Sequence, residues 1–199
     1  SVDCWNALLD KGMKIDVPEA VVNNAWRSAL IGSYCLLTGD EMRYSQGNAY
    51  AKLYIGEGTD ATRSIAMYGH GDDAERMMTP LFVYTRKNLE FHQAAFKLQM
   101  LAHCYALSRD ASWIPANRAP WEKELNVILN GREKTSGLLP REKYAGDIAT
   151  LVFSLNSNAN CWRALRDMSV VLNAIGETDR ARELARTAAR RAERRLAAL

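Results

Sequence analysis

The chain has no uninterrupted apolar run near the roughly 20 residues needed to cross a bilayer, so no membrane span is expected. No segment alternates β-branched and polar residues over a strand's length, which speaks against a β-rich fold and leaves room only for short strands within loops. Cysteine is sparse. Cys4, Cys35, Cys104 and Cys161 are too far apart for a zinc or redox motif. They read as reduced, structural residues, with disulfide pairing left open. Histidine is sparser still: His70, His92 and His103, none joined by a carboxylate or cysteine at ligand spacing. No metal or other cofactor is expected on that ground. There is no Gly-x-Ser-x-Gly elbow, no phosphate-cradling Walker loop and no dinucleotide fingerprint. Serine nucleophiles, nucleotide hydrolysis and hydride transfer therefore have no motif to rest on. Residues 1–10 lack a basic region followed by an apolar core, so no signal peptide is read there, and the compartment stays open.

The net charge is +3. Residues 177–199 hold seven Arg against three Glu and one Asp, which also sums to +3 and leaves the rest neutral. No aromatic residue lies among those arginines to stack on a base. They read as a solvated helix face, with no nucleic-acid partner.

Apolar residues make up 48% of the chain, enough for a sizeable core. Their spacing is helical over most of the chain, and residues 44–58 carry no clear period. Over 19–37, Val22, Ala25, Trp26, Ala29, Ser33 and Leu36 share a face, and Gly39 stops the helix. A second helix is expected over 59–69 and a third over 73–84. The clearest stripe is Phe91, Ala94, Ala95, Leu98, Leu101, Ala102 and Tyr105. Further helices are expected over 120–130, with Trp121 inward, and over 157–175, stopped by Gly176. The last begins at Asp179, with Ala181, Leu184, Ala185, Ala188, Ala192 and Leu196 buried. Trp26 and Trp162 fall on apolar faces and are expected in the core. The fold class is all-α, about seven helices in consecutive hairpins. Tight junctions at 69–72 and 176–179 alternate with long loops at 40–58 and 131–156, and the stop–cap–start pattern at 69–74 recurs at 176–181. Long loops in a compact helical domain are where binding residues concentrate.

Several segments, in order, resemble the six-hairpin glycosidases. Asp16-Val17-Pro18-Glu19 precedes the first clear helix. A Tyr-rich loop and helix run from Tyr50 to Gly69. Gly137-Leu138-Leu139-Pro140, Gly146-Asp147-Ile148, Asn158-Ala159 and Trp162-Arg163-Ala164-Leu165 follow. Where that family often carries Arg-Asp before its second helix, this sequence reads Gly56-Glu57. The resemblance implies an (α/α) toroid with long loops on one rim forming a sugar cleft, and an inverting hydrolase as the commonest activity. A closed toroid has twelve helices, so residues 1–199 are expected to be a single all-α domain that is the C-terminal portion of a larger one. The implied partners are an oligosaccharide or glycoside substrate and the remainder of that larger polypeptide.

Glycoside hydrolysis by inversion needs two carboxyl groups about 6.5–9.5 Å apart. The candidate catalytic residues are Glu57, Asp147 and Asp60, although Glu57 also suits a surface turn, and Asp60 and Asp147 suit capping. Candidate substrate contacts are Tyr44, Asn48, Tyr50, Trp113, Glu142 and Tyr144. Aromatic faces stack on sugar rings, and amides and carboxylates bind hydroxyls. Gln46 and Asn88 are further amides in loops, and packing at the hairpin ends is the alternative for the aromatics. Two other functions fit an all-α chain. A helical-repeat scaffold would bind protein without catalysis. Another toroid enzyme, an epimerase or lyase, would turn His92 and His103 toward the long loops.

Overall fold

Most of the described residues are helical, and strand is confined among them to four two-residue segments. The computed structural model describes residues 2–131, 133 and 138–196, with side chains described through 189. Among the described residues there are nine helices, and the fold is all-α. Two of them were not foreseen: α1 (Val2–Lys11) and the single turn α6 (Trp113–Ala116). By internal contacts the chain divides into two units, Ser1–Leu81 and Phe82–Leu199.

The first unit contains α1, α2 (Ala20–Cys35), a small hairpin β1 (Leu37–Thr38) and β2 (Glu41–Met42), α3 (Ile55–Met67) and most of α4 (Gly71–Val83). The chain leaves α2 through Leu36 and turns at once, with Gly39 at φ +60 between the two strands. That conformation favours a residue without Cβ. Its core is Leu30, Met42, Ile55, Ile65, Ala74, Met77, Met78 and Leu81. Helix α3 begins four residues before the sequence suggests. Gly56 and Gly58 weaken helix propensity, yet Ile55 and Thr59 are buried, and the Thr59 hydroxyl donates back to the Ile55 carbonyl at 2.7 Å. A Cβ on Gly58 would lie 2.8 Å from Leu53 and 2.9 Å from Leu81. Close packing thus selects glycine there and overrides its local cost. Trp26 is half-buried, tilted against Tyr68 with ring centroids 4.3 Å apart.

The second unit is built on α5 (Glu90–Ser108), which packs against α7 (Arg118–Asn130) and α8 (Leu155–Ala174). Helix α8 pairs in turn with α9 (Thr178–Leu196). Helix α5 is buried well beyond its apolar stripe. Gln93, Lys97 and Gln99 are buried on it, and each finds partners. Lys97 donates to Glu124 at 2.7 Å and to the carbonyls of Phe82 and Tyr84. Gln99 donates to the carbonyl and side chain of Asn160.

Trp121 is fully buried, and its indole N–H donates to the Ile114 carbonyl at 2.7 Å. Arg118 and Arg180 lie over its ring, and between them they bind Glu122 and Glu177. This network ties the start of α7 to the start of α9. Trp162, expected in the core, is half-buried under Arg166. Ser154 caps α8 by accepting from Ser157 N–H, and Gly176 ends that helix at φ +89.

On α9, Ala181, Leu184 and Ala188 are buried as the pattern requires, whereas Ala185 is exposed. Ala192 and Leu196 lie outside the described side chains. Cys104 and Cys161 are buried, whereas Cys4 and Cys35 are exposed rather than packed.

Candidate functional site

In the first unit the expected site residues gather on one short stretch. Residues 44–54 form an ordered loop, closed where Tyr44 N–H donates to the Lys52 carbonyl at 3.0 Å. The Asn48 side-chain oxygen accepts from the Ser45 hydroxyl at 2.7 Å and from Tyr50 N–H at 2.8 Å, so Asn48 builds the turn. Gln46 donates to the Leu36 carbonyl and the Thr38 hydroxyl, which fastens the loop to the β1 region.

These ties bring three tyrosines together. The Tyr44 ring lies 6.0 Å from Tyr50 and 5.7 Å from Tyr54, both edge-on. Tyr44 is 49% exposed and Tyr50 59%. Exposed rings of this kind offer faces on which a ligand can stack. Glu57 follows three residues after Tyr54, exposed in the first turn of α3, where a carboxylate is stabilised by the free helix amides. Nearby charges pair off: Arg43 with Glu41, Arg76 with Asp40 and Asp73, and Asp60 with Arg63. Asp60 is thus committed to its own helix. Glu57 has no ion-pair partner among the described residues.

In the second unit the candidates lie on the hairpin β3 (Glu142–Lys143) and β4 (Leu151–Val152), with Glu142 opposite Val152. The hairpin is fastened to the segment before α5. Lys143 N–H donates to the Asn88 carbonyl at 2.8 Å, and the Arg86 guanidinium donates to the Gly146 carbonyl. Gln93 in turn bonds the backbone of Arg86 from both sides. Tyr144 N–H to the Thr150 carbonyl, 3.0 Å, closes the tip. Tyr144 is 60% exposed there, and Asp147 is exposed as well, with no ion-pair partner among the described residues. Glu142, expected to touch substrate, points inward. It is 2% exposed, and its Oε2 accepts from Phe91 N–H at 3.0 Å and His92 N–H at 3.4 Å. Burial raises its pKa, against the opposing pull of the Ser157 hydroxyl and those two amides. Trp113 opens α6 and packs at 6.0 Å against Phe82.

Gly137, in the Gly-Leu-Leu-Pro segment, lies outside the described residues. Leu139 is buried, and its N–H donates to the Asn158 side chain. His92 sits in the first turn of α5 against Phe96, beside the hairpin. His103 is eleven residues further on, about 16 Å along the axis at 1.5 Å per residue.

One cluster has no counterpart in the sequence reading. In the first unit the Tyr34 hydroxyl donates to Asp73 Oδ2, His70 Nδ1 lies 3.8 Å from the same oxygen, and Arg76 binds Oδ1 at 2.5 Å. His70 is buried, and its Nε2 is without a hydrogen-bond partner. Burial lowers its pKa, with Lys11 acting in the same direction and Asp73 against them. Burial raises the Tyr34 pKa, and the adjacent Asp73 carboxylate adds to it. Asp73 remains below its ordinary value: burial opposes its charge, but the Tyr34 hydroxyl and Arg76 outweigh it. A Cβ on Gly12 would sit 2.4 Å from His70 Nε2. The ring is therefore sealed against backbone, and the cluster holds the α1–α2 linker to the α3–α4 turn. The spacing of His70 and Asp73 hints at it, but nothing local brings in Tyr34.

Among the described residues no cluster of three or more His, Cys, Asp or Glu could hold a metal ion, and no helix is long and apolar enough to cross a membrane. No protein-family model, curated protein or solved structure matches the chain.

Proposed function

We propose that this chain is a carbohydrate-active domain, similar to the six-hairpin glycoside hydrolases, that binds an oligosaccharide or glycoside on its long loops. One observation carries the reading. Two separate, well-tied loops each present exposed tyrosine faces, with an exposed carboxylate that has no ion-pair partner among the described residues close by in sequence: Tyr44 and Tyr50 with Glu57, and Tyr144 with Asp147. Sugar rings offer apolar C–H faces for stacking and hydroxyls for carboxylates, and these side chains suit both. In a hydrolytic cycle the exposed carboxyl group of each loop, Glu57 in the first unit and Asp147 in the second, is the candidate for giving a proton to a leaving oxygen or activating water. Asp60, held by Arg63, would support rather than react.

The remainder of a larger polypeptide belongs to the same proposal. Helix α1 buries no side chain and α2 buries only Leu30, while Val2, Met13, Val21 and Val22 are exposed. Helices of globular domains cover such residues with a neighbour.

The test is thermal denaturation against a panel of neutral and acidic oligosaccharides. A sugar at 100 times its dissociation constant adds about 2.7 kcal/mol to stability, read as a raised melting temperature. With that sugar, Glu57→Gln and Asp147→Asn are expected to abolish turnover while the melting temperature without sugar stays put. A flat panel would favour a protein-binding helical scaffold. Unchanged turnover in both variants would overturn the assignment of the two carboxylates.

A further inference from the structure

The hairpin bearing Tyr144 and Asp147 has two-residue strands. An isolated ribbon of that length does not hold its own register. The position of the tip is therefore set by what the hairpin is tied to. Two ties, Lys143 N–H to Asn88 and Arg86 to Gly146, are made by half-buried groups. The third is of another kind. Glu142 is 2% exposed, and one of its oxygens binds two amides of the first turn of α5, while Oε1 is buried without a hydrogen-bond partner.

A carboxyl group spends solvation when it is buried half-satisfied, so core stability alone is a poor reason to place one there. Orientation is a better one. The first-turn amides of a helix point along a fixed axis and have no partner within the helix. A carboxylate docked on them is held in direction as well as in place. Helix α5 is also the most buried element of the unit, and so a rigid reference.

We propose that Glu142 is a positioning residue: docked on the first turn of α5, it fixes the tip at 144–150 and so aims Tyr144 and Asp147. The inference deepens the carbohydrate reading, since the tip is one of the two binding loops, but its geometry does not depend on what binds.

The experiment is amide hydrogen–deuterium exchange on the whole chain without sugar, comparing wild type with Glu142→Ala and Glu142→Gln. In Glu142→Ala, exchange over 143–152 and at the amides of Phe91 and His92 is expected to rise tenfold or more, with 164–184 unchanged. Glu142→Gln keeps an oxygen that accepts both amides and is expected to stay within threefold of wild type. A rise spread evenly over α5, α8 and α9, or no rise over 143–152, would overturn the proposal. If Glu142→Ala does not fold, Glu142→Met, which keeps the apolar contacts and drops both acceptors, is read with the same expectations. Maltoheptaose and cellohexaose are then titrated into wild type and Glu142→Gln. If neither sugar binds wild type, the substrate reading suffers while the exchange pattern still decides the role of Glu142. If one binds, the variant is expected to keep its affinity within threefold, and a loss of tenfold or more would overturn the proposed rescue by glutamine.

Discussion

Replacing Lys97 by methionine probes the most consequential buried charge in the second unit. The ammonium is 1% exposed and uses all three protons: on Glu124 at 2.7 Å, on the Tyr84 carbonyl at 2.7 Å and on the Phe82 carbonyl at 3.2 Å. Burial lowers the Lys97 pKa, and Glu124 opposes that by bonding the charged form. Methionine fills nearly the same volume, so no cavity enters the result. What remains is a buried carboxylate without a counter-ion and two carbonyls without their donor. Removing one partner of such a pair costs about 3–5 kcal/mol.

The double variant Lys97→Met with Glu124→Leu removes the stranded charge but leaves the carbonyls. It is expected to recover about 2 kcal/mol of the single variant's loss. Urea denaturation followed by tryptophan fluorescence and circular dichroism reads both quantities. A loss below about 1 kcal/mol, or a double variant equal to the sum of the singles, would refute the argument that the pair is a closed, solvent-excluded unit.

His70 gives a pH dependence of known sign. Its folded pKa lies below the ordinary 6.5. As pH falls through 6.5 toward that lower value the unfolded chain binds the proton first, so stability is lost on acidification and is full above pH 7. Melts of wild type and His70→Gln between pH 7 and 4.5 are expected to differ by a slope that the variant lacks, and parallel curves would refute it. Gly131 is required by packing: a Cβ there would lie 2.0 Å from the Phe91 ring. Gly131→Ala is expected to destabilise by about 1–3 kcal/mol in chemical denaturation, and a stability equal to wild type would count against the placement of Phe91.

Much of the helical framework is already in the sequence. Helix-period spacing of apolar residues gives α5, α7, α8 and α9, because a helix must bury one face and the repeat shows which, whereas the stripe read on α2 is not the face it buries, which is Leu30 alone. Gly39 and Gly176, both at positive φ, stop or turn the chain where the pattern ends. The exposed tyrosines and carboxylates of the long loops were legible too, as residue types in segments without a period. Other features needed the tertiary structure. Helix α3 starts at Ile55 because Gly58 lets Leu53 and Leu81 close over it, a contact that glycine's local propensity opposes. Lys97, Gln93 and Gln99 look like solvent positions until partners from other elements bury them. Glu142 and Asp147 are both acidic residues of one short hairpin, yet one is sealed on a helix terminus and the other stands in water. Tyr34, His70 and Asp73 meet across 39 residues. The physical reason is the same in each case. Helix periodicity is a local property that neighbouring residues carry by themselves, whereas the burial and charge state of a polar side chain depend on groups far along the chain that only folding brings within bonding distance.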